Sequence, residues 1–189
     1  MAQVVSRVFD PILLVPGMFV VAVTWALNNG ERWRFLTMLV FWDAMLPGVV
    51  LYWWIRRGKV LSGWDLKDRK ERIPLFMFVI AAHLGGVVGA YMLDKHPLAE
   101  FLLVFWLLAL VYGVVTVWWK ISIHTGVMSA LVMFLVLTQG KEYAWLFALV
   151  LLVVWARVVG RYHRLSQAVA GGMVPVVVMP VVFRILGIG

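Results

Sequence analysis

The chain contains no cysteine. That excludes disulfides, thiolate metal sites and a cysteine nucleophile, and leaves the redox compartment open. Acidic residues are scarce too: nine Asp and Glu stand against 17 Lys and Arg, for a formal net charge of +8. No polar stretch is long enough to build a soluble domain, and the longest covers only residues 56–72. Nucleic acid is therefore the weaker reading of the basic charge, and no nucleic-acid partner is expected. Basic loops between greasy segments ordinarily meet anionic headgroups or set topology. A cleavable signal is not expected either. Only Arg7 precedes the first apolar block, and no small-residue cleavage site follows it. Repeats and low-complexity tracts are missing as well, and small size without tails points to a prokaryotic cell membrane.

What remains is apolar. Hydrophobic residues make up 64% of the 189 positions, and the mean hydropathy is +0.96. Soluble domains are nearer half apolar. Seven apolar segments stand out, at 11–27, 35–55, 73–93, 98–119, 126–137, 143–159 and 165–185. A full crossing takes about 20 residues, so the fifth is short and is expected to begin below the headgroups. Asn28-Asn29-Gly30, His96-Pro97 and Gln139-Gly140 read as turns between spans. The pattern predicts an all-α polytopic membrane helix bundle of six to seven transmembrane helices, forming a single integral membrane domain over residues 1–189. Eleven tryptophans, Trp53-Trp54 and Trp118-Trp119 among them, gather at span ends as interfacial belts.

Alternate threading of these spans carries three polar clusters to one membrane face. They are the 65–74 segment, Lys120 to Thr125, and Arg157 to Gln167. This convergence depends on the span count. The positive-inside rule makes that face cytoplasmic. The bias shrinks once Arg69, Lys70, Arg72, Lys120 and Arg157 are assigned to a site instead of to topology. Arg56, Arg57, Lys59, Arg161 and Arg164 read as snorkelling anchors.

Ionisable groups placed this close to lipid are expensive and point to function. Gly160 is a natural stop for the sixth helix, and a new helix starting near Tyr162 would put His163 at an anion-favouring N-terminus. Gln167, at i+4, reaches His163 and can fix its tautomer. Arg157 offers a planar fork suited to phosphate oxygens. Ser122, His124 and Thr125 stand beside Lys120, and His124 is a natural general acid or base. Two histidines among several cations, with no metal-ligand pattern, suit phosphoryl transfer, which is mostly positioning and charge stabilisation.

These residues resemble the type 2 phosphatidic acid phosphatase superfamily. Ile121-Ser122-Ile123-His124 matches the Ser and His of its Pro-Ser-Gly-His motif. Arg157 and His163 match the Arg, five residues, His spacing of another, and Arg72-Ile73-Pro74 loosely matches the end of a Lys, six residues, Arg-Pro motif. The motif region covers about residues 65–172. The resemblance implies that His163 is a nucleophile forming phosphohistidine and that His124 protonates the leaving alkoxide, then activates water. It also implies that Arg72, Arg157 and Ser122 hold phosphate oxygens, with Lys70 and Lys120 as further phosphate-binding cations. No metal or other cofactor is implied. The partners would be membrane lipids, and the substrate a lipid phosphate or diphosphate such as phosphatidic acid, phosphatidylglycerol phosphate or a polyprenyl phosphate.

The chain departs from the family pattern at several places. Asp65 stands where the first-motif Lys would fall, and Lys67, Arg69 or Lys70 is the substitute. Ala156 replaces a Ser that would donate to phosphate. Gln167 replaces the Asp that orients the nucleophile; a Gln carbonyl accepts the same hydrogen bond without a full charge.

Other readings use the same residues. A transferase on this scaffold would pass the phosphate or headgroup to a second alcohol. A non-catalytic protein would bind anionic lipids. An Asp-rich magnesium site of the prenyltransferase type needs two acidic loops, and only Asp65 to Asp68 is present. Outside the clusters, Asp43 lies mid-span and requires a partner, either in a relay or in a structural hydrogen bond. His83 is expected to be structural, beside Gly85, Gly86 and Gly89, which would let helices pack closely.

Overall fold

A computed structural model of the chain describes residues 1–66 and 68–188, apart from the side chains of Asn29, Asp65 and Arg69. Lys67 lies outside the described residues, as do the Asp65 and Arg69 side chains. Among the described residues every regular element is helical. In chain order they are α1 (Ala2–Val8), α2 (Pro11–Ala26), α3 (Asn29–Val40), a π turn (Phe41–Met45), α4 (Leu46–Arg56), a 3-10 turn (Gly63–Asp65), α5 (Arg69–Met92), α6 (Leu98–Trp118), α7 (Ile123–Thr138), a second 3-10 turn (Lys141–Leu146), α8 (Phe147–Val159) and α9 (Leu165–Leu186). Among the described residues six runs are long and apolar enough to cross a membrane: Ala2–Ala26, Gly30–Arg56, Lys70–Met92, Leu98–Trp118, Lys141–Val159 and Leu165–Leu186. The chain is an all-α integral membrane protein. The fifth expected segment is α7, whose 16 residues reach only about 24 Å at 1.5 Å per residue, short of a hydrocarbon core of about 30 Å.

The chain forms two compact units, one of Val15 to Trp119 and the other of Met1 to Leu14 with Lys120 to Gly189. In the first, α5 and α6 make the most extensive helix pairing. The Trp106 indole donates to the Ile80 carbonyl (3.0 Å), tying the two together. Gly113 allows close approach, since a Cβ there would stand 2.9 Å from Ile80 Cδ1. Of the glycines that follow His83, a Cβ at Gly85 or Gly89 would meet nothing within 4 Å, and one at Gly86 would lie in ordinary contact, 3.8 Å from Leu39 Cδ2. The entry to α5 is also earlier than expected. Asp68 caps the helix by accepting the Lys70 N–H (2.9 Å), so Pro74 falls inside the helix. Glu71 binds back across the preceding loop, accepting from the Leu61 N–H (2.7 Å) and the Ser62 hydroxyl.

In the second unit, α7 and α9 lie side by side, with α8 against both and α1 along α8. Met128, Val132, Val150 and Val153 form an apolar core between α7 and α8. Two buried hydroxyls stitch α7 to α9: Thr125 Oγ1 donates to the Ala168 carbonyl (2.9 Å), and Ser129 Oγ to that of Gly172 (2.6 Å). Within a bilayer such bonds satisfy polar groups that water does not reach. Gly171 permits the approach, because a Cβ there would lie 2.3 Å from the Ser122 carbonyl oxygen and 2.5 Å from Thr125 Oγ1.

Candidate active site

The link from α8 to α9 is a tight reversal built on one carbonyl. Arg157 O accepts the N–H groups of both Tyr162 (3.1 Å) and His163 (3.2 Å). Arg161 takes the left-handed conformation, φ +59°, that such a reversal demands and that costs a non-glycine residue energy. At Gly160 a Cβ would sit 2.6 Å from the Tyr162 ring, so glycine leaves room for that ring to fold back. The ring then lies 4.1 Å from the Arg157 guanidinium carbon, within cation–π range. Arg157 itself is only 2% exposed. Its charge is thus held in a fixed place inside the unit.

The start of α7 meets this reversal. The Ser122 N–H donates to the Gln167 carbonyl (3.2 Å), and Lys120 Nζ donates to that of Tyr162 (3.2 Å). Ser122 is the N-cap residue of α7, yet its side chain makes no capping bond. Its fully buried hydroxyl has no hydrogen-bond partner among the described residues. A buried hydroxyl left this way costs free energy.

His124 sits in the first turn of α7. Its Nε2 is 3.4 Å from Arg157 Nη1 and 3.4 Å from Asp10 Oδ2. Asp10 precedes α2 and accepts the Ile12 N–H through its other oxygen (2.9 Å), which fixes the carboxylate. The two neighbours of Nε2 make opposite demands. Arginine can only donate, so it is satisfied by a neutral Nε2 with a free lone pair. The carboxylate can only accept, so it is satisfied by a protonated Nε2–H. Each protonation state of the ring therefore has one ready partner, and gaining or losing a proton needs no large rearrangement.

The second unit brings together Lys120, Ser122, His124, Arg157, His163 and Gln167. His163 stands one residue ahead of the Arg164 N-cap, not within the helix itself; α9 starts only at Leu165 because Arg157 O holds residues 162 and 163 in the reversal. Gln167 Oε1, expected to orient His163, instead accepts the Arg164 N–H (3.0 Å) and closes the start of α9. An open pocket of about 320 Å³ is lined by Val158, Arg161, Tyr162, His163, Arg164 and Gln167. Among the described residues His124 and Arg157 do not line it. Arg72 and Lys70 belong to the first unit. There Arg72 is buried and its Nε donates to the Leu66 carbonyl (2.7 Å), while the Lys70 amide is the one capped by Asp68.

Sequence reasoning passed over Asp10. The signal was an Asp-Pro step opening an apolar run, which reads as a helix cap and gives no hint of a distant histidine. Among the described residues no group of three or more His, Asp or Glu side chains is gathered as a metal site. Comparison with protein-family models, with curated proteins and with solved structures gave no match.

Proposed function

We propose that this protein is a membrane phosphatase that hydrolyses a lipid phosphate or diphosphate through a phosphohistidine intermediate. The observation that supports this best is His124 Nε2 held between the Arg157 guanidinium and the Asp10 carboxylate, with His163 anchored by its amide to Arg157 O. In the first step a ring nitrogen of His163 attacks phosphorus and the bond to the lipid oxygen breaks. His124, protonated and paired with Asp10, gives its proton to the leaving alkoxide or phosphate. Neutral His124, now matched to Arg157, then takes a proton from water as the water attacks the phosphohistidine. The phosphorus–nitrogen bond breaks, inorganic phosphate leaves, and both histidines return to their starting states. Arg157, Lys120 and the buried Ser122 hydroxyl supply donors to phosphate oxygens.

Asp10 bears on the largest departure from the family pattern. With Gln167 in place of the expected Asp, a carboxylate is supplied instead to the second histidine, the one that must carry a proton in the first step. Greasy surroundings suit a lipid substrate. A prokaryotic cell membrane is the proposed location. The test is release of inorganic phosphate from lipid phosphates and diphosphates in detergent, measured for wild type and His163→Ala. Wild type should release phosphate and the variant should not; equal rates would overturn the reading. Transfer to an added alcohol in place of water would identify a transferase using the same intermediate.

A further inference from the structure

The pocket beside His163 carries more positive charge than one reacting phosphate uses. Val158, Arg161, Tyr162, His163, Arg164 and Gln167 line it, and its volume of about 320 Å³ is at the lower end of ordinary ligand sites. Arg161 and Arg164 were expected to snorkel as interfacial anchors. Instead both stand in the pocket wall and flank His163 in the chain. Arg161 keeps its place in the left-handed conformation, φ +59°, which glycine or asparagine adopts at less cost. Among the described residues Arg157 and Lys120, assigned above to the reacting phosphate, do not line the pocket. Arg161 and Arg164 therefore form a second cationic site next to the first.

No acidic side chain in the second unit is placed to neutralise them. Residues 1–14 and 120–189 contain only Asp10 and Glu142. Asp10 accepts the Ile12 N–H and faces His124. Glu142 belongs to the 3-10 turn that follows α7, at the far end of that helix from Ser122. Among the described residues no carboxylate lies within ion-pair distance of Arg161 or Arg164.

Gln167 has the same character. An Asp at this position would put a negative charge in the pocket wall. The Oε1 of Gln167 is taken by the Arg164 N–H (3.0 Å), so its amide N–H groups are what it offers a ligand. The wall beside His163 is thus made of cations and donors, the composition that suits phosphate oxygens.

We propose that this pocket seats a second phosphate group, so that the substrate is a lipid diphosphate and not a monophosphate; the inference rests on the phosphatase reading above. The two phosphorus atoms of a diphosphate share one oxygen, so the second group must sit immediately beside the nucleophile, where Arg161 and Arg164 are. A ring nitrogen of His163 bonds to the terminal phosphorus, and the bond from that phosphorus to the bridging oxygen breaks. The electron pair stays with the lipid monophosphate, which leaves with the proton from His124. Water then releases inorganic phosphate from the histidine. Arg161, Arg164 and the Gln167 amide hold the lipid-linked phosphate, and so meet the charge that builds on it as the bond breaks. A lipid monophosphate has no group to place there.

The test uses the full-length protein in detergent with farnesyl diphosphate and farnesyl phosphate, which share one tail. Wild type is compared with the double variant Arg161→Asn/Arg164→Asn. Asparagine tolerates left-handed backbone and is a favoured helix cap, so both exchanges suit the local fold. The double variant should lose about tenfold more kcat/KM on the diphosphate than on the monophosphate, as suits two charge-assisted contacts at an exposed site. Arg161→Lys/Arg164→Lys should recover part of that difference. A loss on the diphosphate equal to or smaller than that on the monophosphate would overturn the proposal and leave both arginines as interfacial anchors. Inorganic diphosphate is the third probe, and its turnover at the rate of farnesyl diphosphate would overturn the lipid assignment. Should wild type release phosphate from none of the three, the phosphatase reading fails, and binding of a methylene-bridged analogue of farnesyl diphosphate decides the pocket separately. The double variant should bind that analogue about tenfold more weakly than wild type, and equal binding would overturn the proposal.

Discussion

Two side chains, Arg157 and Asp10, share one ring nitrogen of His124, and the chemistry proposed for this residue depends on both. Removing the carboxylate should take away the imidazolium's acidic neighbour while Arg157, which repels it, stays beside it. Asp10 is 36% exposed and 3.4 Å away, so solvent weakens the pair, and Asp10→Asn should lower kcat by about three- to tenfold. KM should change little, and Asp10→Glu should recover part of the loss. Steady-state kinetics on a lipid phosphate would check this; an unchanged kcat in Asp10→Asn would remove Asp10 from the mechanism. At this scale the sequence was informative only where residues lie close together. Arg157 and His163 were legible because their spacing survives as a local reversal. Asp10 was not, because its pairing with His124 is made by tertiary folding, and its position before Pro11 already has a sufficient local explanation as a cap. Asp43 and His83 were each visible as buried polar groups, but nothing in the pattern told that Asp43 Oδ1 lies 2.5 Å from His83 Nδ1.

At the scale of the helix, apolar runs bounded by turn residues located the spans well. The expected 98–119 and 165–185 segments became α6 (Leu98–Trp118) and α9 (Leu165–Leu186). Where the match slips, the cause is polar residues at helix starts. α3 begins at Asn29, ahead of the expected 35, and α5 at Arg69 instead of 73, because Glu31, Arg32, Lys70 and Glu71 are helical without being apolar. The short α1 and the π turn carried no signal in the hydrophobic pattern. Close packing was expected at Gly85, Gly86 and Gly89; Gly86 makes an ordinary contact and the tight approach is found at Gly171, since a helix's apolar composition does not reveal which face meets a neighbour's backbone. Two adjacent substitutions test that packing. Gly171→Ala places a methyl against the Ser122 carbonyl and should cost about 1–3 kcal/mol while disturbing the start of α7. Gly172→Ala brings its methyl 3.4 Å from Val150 Cγ1, near ordinary contact, and should be far milder. Thermal unfolding in detergent with phosphatase assays in parallel should show the first variant losing both stability and activity and the second retaining most of each. Equal effects would contradict the packing described.

For the whole molecule, six helices fit to cross a membrane make the protein integral to it, and the proposed chemistry asks nothing of a metal ion. EDTA should therefore leave phosphate release unchanged and vanadate, which mimics phosphate, should inhibit it. Strong inhibition by EDTA would favour magnesium-dependent diphosphate chemistry at the acidic 65–68 segment. The central claim is the covalent intermediate, and it can be trapped directly. Purified protein mixed with a lipid phosphate labelled with radioactive phosphorus and quenched in denaturant should carry an acid-labile, alkali-stable label on the peptide containing His163. In His163→Ala that label should be absent. Phosphate release by wild type with no label on the protein, or the same label in His163→Ala, would contradict the account.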